Sequence, residues 1–131
     1  MKKEHLLVFV SAFTAKLLFL FDFSDCPSFL VPLVDAKTYW YTAYNYVNGS
    51  PFTADLFWQA PFYPLFLYVV QFLTSSSMWA VKIIQAIIGS GTVTLVYLLG
   101  KEYFGRKTAL IATVITMLYG PLYYFESEFI A

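Results

Sequence analysis

The chain has 131 residues, of which 60% are hydrophobic, 21% aromatic and only 12% charged, with eight cationic side chains balancing eight acidic ones. A water-soluble domain carries about a quarter charged residues, so this composition excludes an ordinary soluble fold. The zero net charge gives no support to a nucleic-acid or polyanion partner, and the single cysteine, Cys26, excludes an intramolecular disulfide. The solvent that suits such a chain is lipid.

Taken in order, Met1-Lys2-Lys3 leads into an apolar run over residues 6–23 that ends at Phe21-Asp22-Phe23-Ser24-Asp25. No small-residue cleavage pattern follows, so the run reads as a retained signal anchor rather than a removed signal peptide. Runs over 78–99 and 108–125 are also long enough to cross a hydrocarbon core, which takes roughly 17–25 residues. A fourth run, 61–73, would make a helix only roughly 20 Å long at ~1.5 Å per residue. The positive-inside tendency supports the same division. Lys2 and Lys3 precede the first span, and Lys101, Arg106 and Lys107 follow the second. With both clusters cytoplasmic, two crossings separate them and 61–73 lies at the outer interface. The predicted layout is an inner amino terminus, an outer loop over 24–77, an inner turn at 101–107, and an outer end at Glu126–Glu128. That makes residues 1–131 the amino-terminal part of an all-α membrane protein, with three transmembrane helices plus interfacial helices in the first outer loop.

Small residues recur at four-residue spacing on the second span (Ala86, Ser90, Thr94) and on the third (Thr108, Ala112, Thr116, Gly120), a pattern that lets helices approach closely in lipid. Gly120-Pro121 predicts a kink in the third span. Lys16 lies well inside the first span, where a charge either faces a bundle interior or snorkels to the interface. Three spans give little shelter for it, and the chain stops at Phe129-Ile130-Ala131 without a polar ending. The expectation is a piece of a longer protein, inactive when isolated.

Within the outer loop, residues 35–47 form a predicted helix between Pro32 and the turn Asn48-Gly49-Ser50-Pro51. Asp35, Tyr39, Thr42 and Tyr46 share one face; Ala36, Trp40, Ala43 and Val47 share the flanking one, predicted to lie on the membrane. Asp35 reads as a helix N-cap, and as an ionised carboxylate suited to accepting a proton or binding a cation. Glu126 and Glu128 end the third span on the same predicted side. Converging acids fit general-base work or a divalent cation held by hard oxygen ligands, against the plainer reading as solvated helix ends. Lys82, with Gln85 one turn on, reads either as an interfacial anchor or as a cation facing a lipid-linked phosphate. His5 has no partner that would make it a site.

Several stretches occur here in a telling order: Leu33-Val34-Asp35-Ala36-Lys37-Thr38-Tyr39-Trp40, Ala60-Pro61-Phe62-Tyr63-Pro64, Ala80-Val81-Lys82-Ile83-Ile84-Gln85-Ala86, Phe104-Gly105-Arg106-Lys107, and Tyr119-Gly120-Pro121-Leu122-Tyr123-Tyr124-Phe125-Glu126-Ser127-Glu128. In this order the sequence resembles the polytopic glycosyltransferases of the GT-C fold, especially relatives of protein O-mannosyltransferases and aminoarabinose transferases. The resemblance implies an inner (plasma) membrane, multi-pass enzyme that moves a sugar from a polyprenyl-phosphate donor to an acceptor on the outer face, inverting the anomeric centre. It implies Asp35 as base, supported by Glu126 and Glu128, with Lys82, Tyr39 and Trp40 on the substrate side. The partners it implies are the lipid-linked sugar, the bilayer and further transmembrane helices. Two departures stand out: Asp35 is followed by Ala36 rather than a second acid, and Trp58-Gln59 stands where some transferases carry an acid. The first leaves the metal unknown, with a divalent cation such as Mg or Mn as the cofactor where one is used. The rival readings are a non-catalytic membrane protein whose aromatic loop binds lipid or a partner, and a transporter piece using Lys16.

Overall fold

The computed structural model describes residues 2–52 and 60–129; the Trp58-Gln59 departure lies outside them. The described residues form six α-helices and no strand: α1 (Lys2–Phe23), α2 (Val34–Val47), α3 (Phe62–Thr74), α4 (Met78–Phe104), α5 (Arg106–Leu118) and α6 (Gly120–Ser127), with a short 3-10 turn at Pro27–Phe29. Segments Lys3–Phe23 and Met78–Phe104 are each long and apolar enough to cross a membrane. Arg106–Leu118 and Gly120–Ser127 qualify together as a third span, bent by 51°. The chain is an all-α membrane protein.

Local chemistry sets the helix ends. Ser77 caps α4, its hydroxyl accepting from the Ala80 amide at 3.3 Å. Pro64 sits in the first turn of α3, where its missing N–H would have had no helical partner. Gly105 separates α4 from α5 at φ +83°, a left-handed conformation open to glycine. The break between α5 and α6 falls at Tyr119, because Pro121 has no amide to donate and its ring crowds the carbonyl one turn back. The predicted kink is therefore a full break.

Helix α4 is the centre of the molecule, packing on α1, α5, α6 and α3, while α2 packs along α3. The small-residue stripe of the second span is partly as predicted, with Ala86 and Ser90 buried. On the third span the buried positions are Ala109 and Thr113, one residue out of phase with the predicted stripe. The Gly105 turn sets that phase: it brings α5 back so that a Cβ on Gly100 would stand 3.1 Å from the Ala109 Cα.

The apolar face of α2 is the second correction. Ala36, Trp40 and Ala43 do not lie on the membrane but join Leu67, Val70, Val81 and Phe129 in one buried cluster, together with Tyr39. Burial against α2 gives the Gln71 side-chain N–H a partner that lipid could not, the Trp40 carbonyl at 3.2 Å. A second cluster joins Leu20, Phe29 and Ala86, with Phe13, Phe23 and Trp79 packed on it.

Candidate active site

The chemistry-bearing side chains gather where α1, α3, α4 and α6 meet. Lys16 is 3% exposed; its Nζ lies 2.5 Å from Glu126 Oε2 and 4.6 Å from the centre of the Tyr123 ring. Of the two readings open for this lysine, the structure selects the bundle interior. Glu126 needs room that α4 supplies by having no side chain at Gly89, where a Cβ would collide with its carboxylate.

Lys82 is completely buried. Its ammonium donates to the Ser127 carbonyl and lies over three aromatic rings, Phe129 at 4.4 Å, Phe29 at 4.5 Å and Phe23 at 5.5 Å. An ammonium so enclosed is balanced by ring quadrupoles and one backbone dipole. Glu128 follows as the first residue past α6 and is 5% exposed. Burial pushes its carboxyl above the ordinary carboxylate range, while the Lys82 charge pulls the other way.

Tyr63, to which no role is assigned on sequence alone, completes the group. Its hydroxyl accepts from the Gln85 amide at 2.8 Å, and Tyr39 meets its ring edge-on at 5.3 Å. Burial first, and then the Tyr39 and Glu128 charges, hold the phenol above its usual value, against the Gln85 hydrogen bond. The signal was present in the Ala60–Pro64 stretch and in Gln85 one turn beyond Lys82, but nothing local joins them. Trp40 is tilted against Phe129 at 4.6 Å.

Asp35 stands apart from this group in its contacts. Helix α2 begins at Val34, one residue earlier than the predicted start, so Leu33 is the capping residue and Asp35 is an exposed member of the first turn. Val34 itself has φ +47°, uncommon for a β-branched residue. Asp35 is nonetheless next to Ala36, and Ala36 shares its cluster with Phe129, the neighbour of Glu128.

An open-sided groove of about 380 Å³ runs along α4 between α3 and α6, lined by Tyr63, Gln85, Gly89, Leu122, Phe125 and Glu126 among others. Its walls are mostly apolar, and its polar side chains are Tyr63, Gln85, Thr92 and Glu126. No group of three or more His, Cys, Asp or Glu side chains among the described residues is placed to hold a metal ion. Each glutamate has a lysine for a neighbour, so this donor set does not by itself fit a divalent cation.

Comparison with known proteins adds one finding. No curated protein and no solved structure gives a significant match. The family model described as dolichyl-phosphate-mannose-protein mannosyltransferase matches residues 58–127. That interval holds α3 to α6 and carries Tyr63, Lys82, Gln85 and Glu126. With more than half of its length matched, and with membrane-spanning helices that suit a membrane glycosyltransferase, the chain belongs to the dolichyl-phosphate-mannose-protein mannosyltransferase family.

Proposed function

We propose that the protein containing this chain transfers a sugar from a polyprenyl-phosphate donor to an acceptor hydroxyl on the outer face of the plasma membrane, by a GT-C type mechanism. The observation that supports it best is the buried cluster joining the start of α2 to the residue after Glu128. It brings the helix carrying Asp35 beside the turn carrying Glu128, whose charge reaches Tyr63 on the wall of the groove.

In this reading Asp35, exposed and at a helix amino terminus, takes the proton of the acceptor hydroxyl. The oxygen attacks the anomeric carbon, the bond from that carbon to the phosphate oxygen breaks, and the configuration inverts. The lipid phosphate leaves with the bonding electrons. Tyr63, kept protonated and already held by Gln85, can donate a hydrogen bond to that developing charge. Glu126 and Glu128 support the site, and the apolar groove suits a prenyl chain. Tyr39 acts through its edge contact with Tyr63, and Trp40 through Phe129. The resemblance gives Lys82 to the donor phosphate. Its enclosure favours a role through Ser127 and Glu128 instead.

The test is transfer from a radiolabelled polyprenyl-phosphate sugar in membranes containing the protein with Asp35→Asn and Glu128→Gln together. Loss of a general base lowers the rate by about 10²–10⁴-fold. A double variant that transfers normally would remove Asp35 and Glu128 from the mechanism, whereas a parent protein that transfers nothing but binds lipid in a Trp40-dependent way would replace the enzyme by a binding protein.

A further inference from the structure

We infer that Lys16 and Lys82 form a two-point clamp on the carboxy-terminal end of α6 and are positioning residues for Glu128, an assignment that rests on the transferase reading above. Four observations carry it. The two lysines come from different spans, α1 and α4, and reach consecutive residues: Lys16 pairs with the Glu126 carboxylate at 2.5 Å, and Lys82 with the Ser127 carbonyl. The next residue in the chain is Glu128.

Second, α6 has only eight residues and is severed from α5 at Tyr119. A helix that short is marginal by itself, and the Pro121 break removes the hydrogen-bond ladder that would otherwise let α5 dictate its direction. Its course must therefore be set by what grips it. The Ser127 carbonyl belongs to the last turn, where carbonyls have no helical partner and the helix dipole favours a cation.

Third, α4 already holds the slot. Gly89 leaves the space that the Glu126 carboxylate fills, so pairing with Lys16 seats α6 at one register along α4. Fourth, the lysines stand behind the groove and not in it. Both line a separate void of about 10 Å³, too small to admit a phosphate, together with Leu20, Ala86 and Ser127. Neither belongs to the groove lining, and they are 3% and 0% exposed. Cations placed there act on substrate only through the helix they hold.

The void supplies the reporter for a test. In the protein containing this chain, with Cys26→Ser, cysteines are introduced at Ala86 on α4 and Ser127 on α6, which both line the void. Copper-phenanthroline oxidation then reads the seating of α6 without reference to activity. Lys16→Met is expected to slow disulfide formation and to lower kcat roughly ten- to a hundredfold, the scale of a 1 Å misplacement. KM for the polyprenyl-phosphate sugar should stay within about twofold, because no donor contact is lost. Lys16→Arg should restore both readings, and Glu126→Gln should reproduce the defect should the methionine variant fail to accumulate. Unchanged oxidation with unchanged kcat would overturn the clamp. So would a raised KM with unchanged oxidation, which would put Lys16 on the donor. Oxidation that depends on Lys16 in a protein with no transferase activity, even with Lys16 intact, would uphold the clamp and reject the transferase reading.

Discussion

Replacing Glu126 by leucine removes one half of an ion pair whose other half cannot reach water. At 2.5 Å and an effective dielectric of about 20, the direct attraction is about 7 kcal/mol. Desolvating each ion costs several kcal/mol, so the pair as a whole contributes little beyond two well-packed apolar side chains. Breaking it is a different matter. Lys16 is left with a side chain 4% exposed against the Tyr123 ring, and a buried charge stripped of its partner costs about 3–5 kcal/mol. The membrane lowers this toward the bottom of the range, because an unfolded α1 can still snorkel its lysine. Glu126→Leu should therefore destabilise by about 3 kcal/mol. Lys16→Met should cost less, because Glu126 is 24% exposed and lines the groove, where water can solvate it. The double variant Lys16→Met/Glu126→Leu should return to within about 1 kcal/mol of the parent, a large coupling between the two sites. Steric-trap unfolding in bicelles measures all four proteins. Two simple additive losses, or a Glu126→Leu cost below about 1 kcal/mol, would show that the pair is not the contact inferred here.

Two shorter predictions follow from neighbouring contacts. Gly89→Ala should destabilise by about 1–3 kcal/mol by driving a methyl into the Glu126 carboxylate, whereas Gly91→Ala, which meets nothing, should be neutral or stabilising by up to about 1 kcal/mol; thermal melts of the two alanine variants in detergent compare them directly. Glu128 titrates at higher pH when folded than its ordinary value of 4.5, so between those two values the folded state holds the extra proton. Stability should fall as pH rises through that window and level off above it. Lys82→Met, which removes the opposing charge, should extend the decline to higher pH, and Glu128→Gln should abolish it, as pH-dependent unfolding will read.

The matched region explains why recognition of the family required no three-dimensional information. Residues 58–127 carry the second and third spans and the turn between them. Their apolar runs and the Phe104–Lys107 and Tyr119–Glu128 stretches are local patterns that survive in sequence. The wall of the groove is the opposite case, because Tyr63 and Gln85 lie on different helices and meet only after α3 folds back on α4.

The sequence by itself determined whatever depends on composition, period and punctuation. A charge content of 12% called for lipid. Run length separated the spans from the shorter α3, and Gly120-Pro121 marked where the third span bends, because the proline lacks an amide and its ring crowds the turn before it. The order of short stretches pointed to the family that the match over residues 58–127 supports. Tertiary structure alone decided which side chains meet. The phase of α5 came from the Gly105 turn, and the burial of the α2 face came from α3, neither of which a helical wheel contains. The pairing of Lys16 with Glu126 spans more than a hundred residues and depends on a missing side chain at Gly89. Periodicity reports which face of a helix is apolar, but a buried charge finds its partner only when the packing of three separate helices brings it within reach.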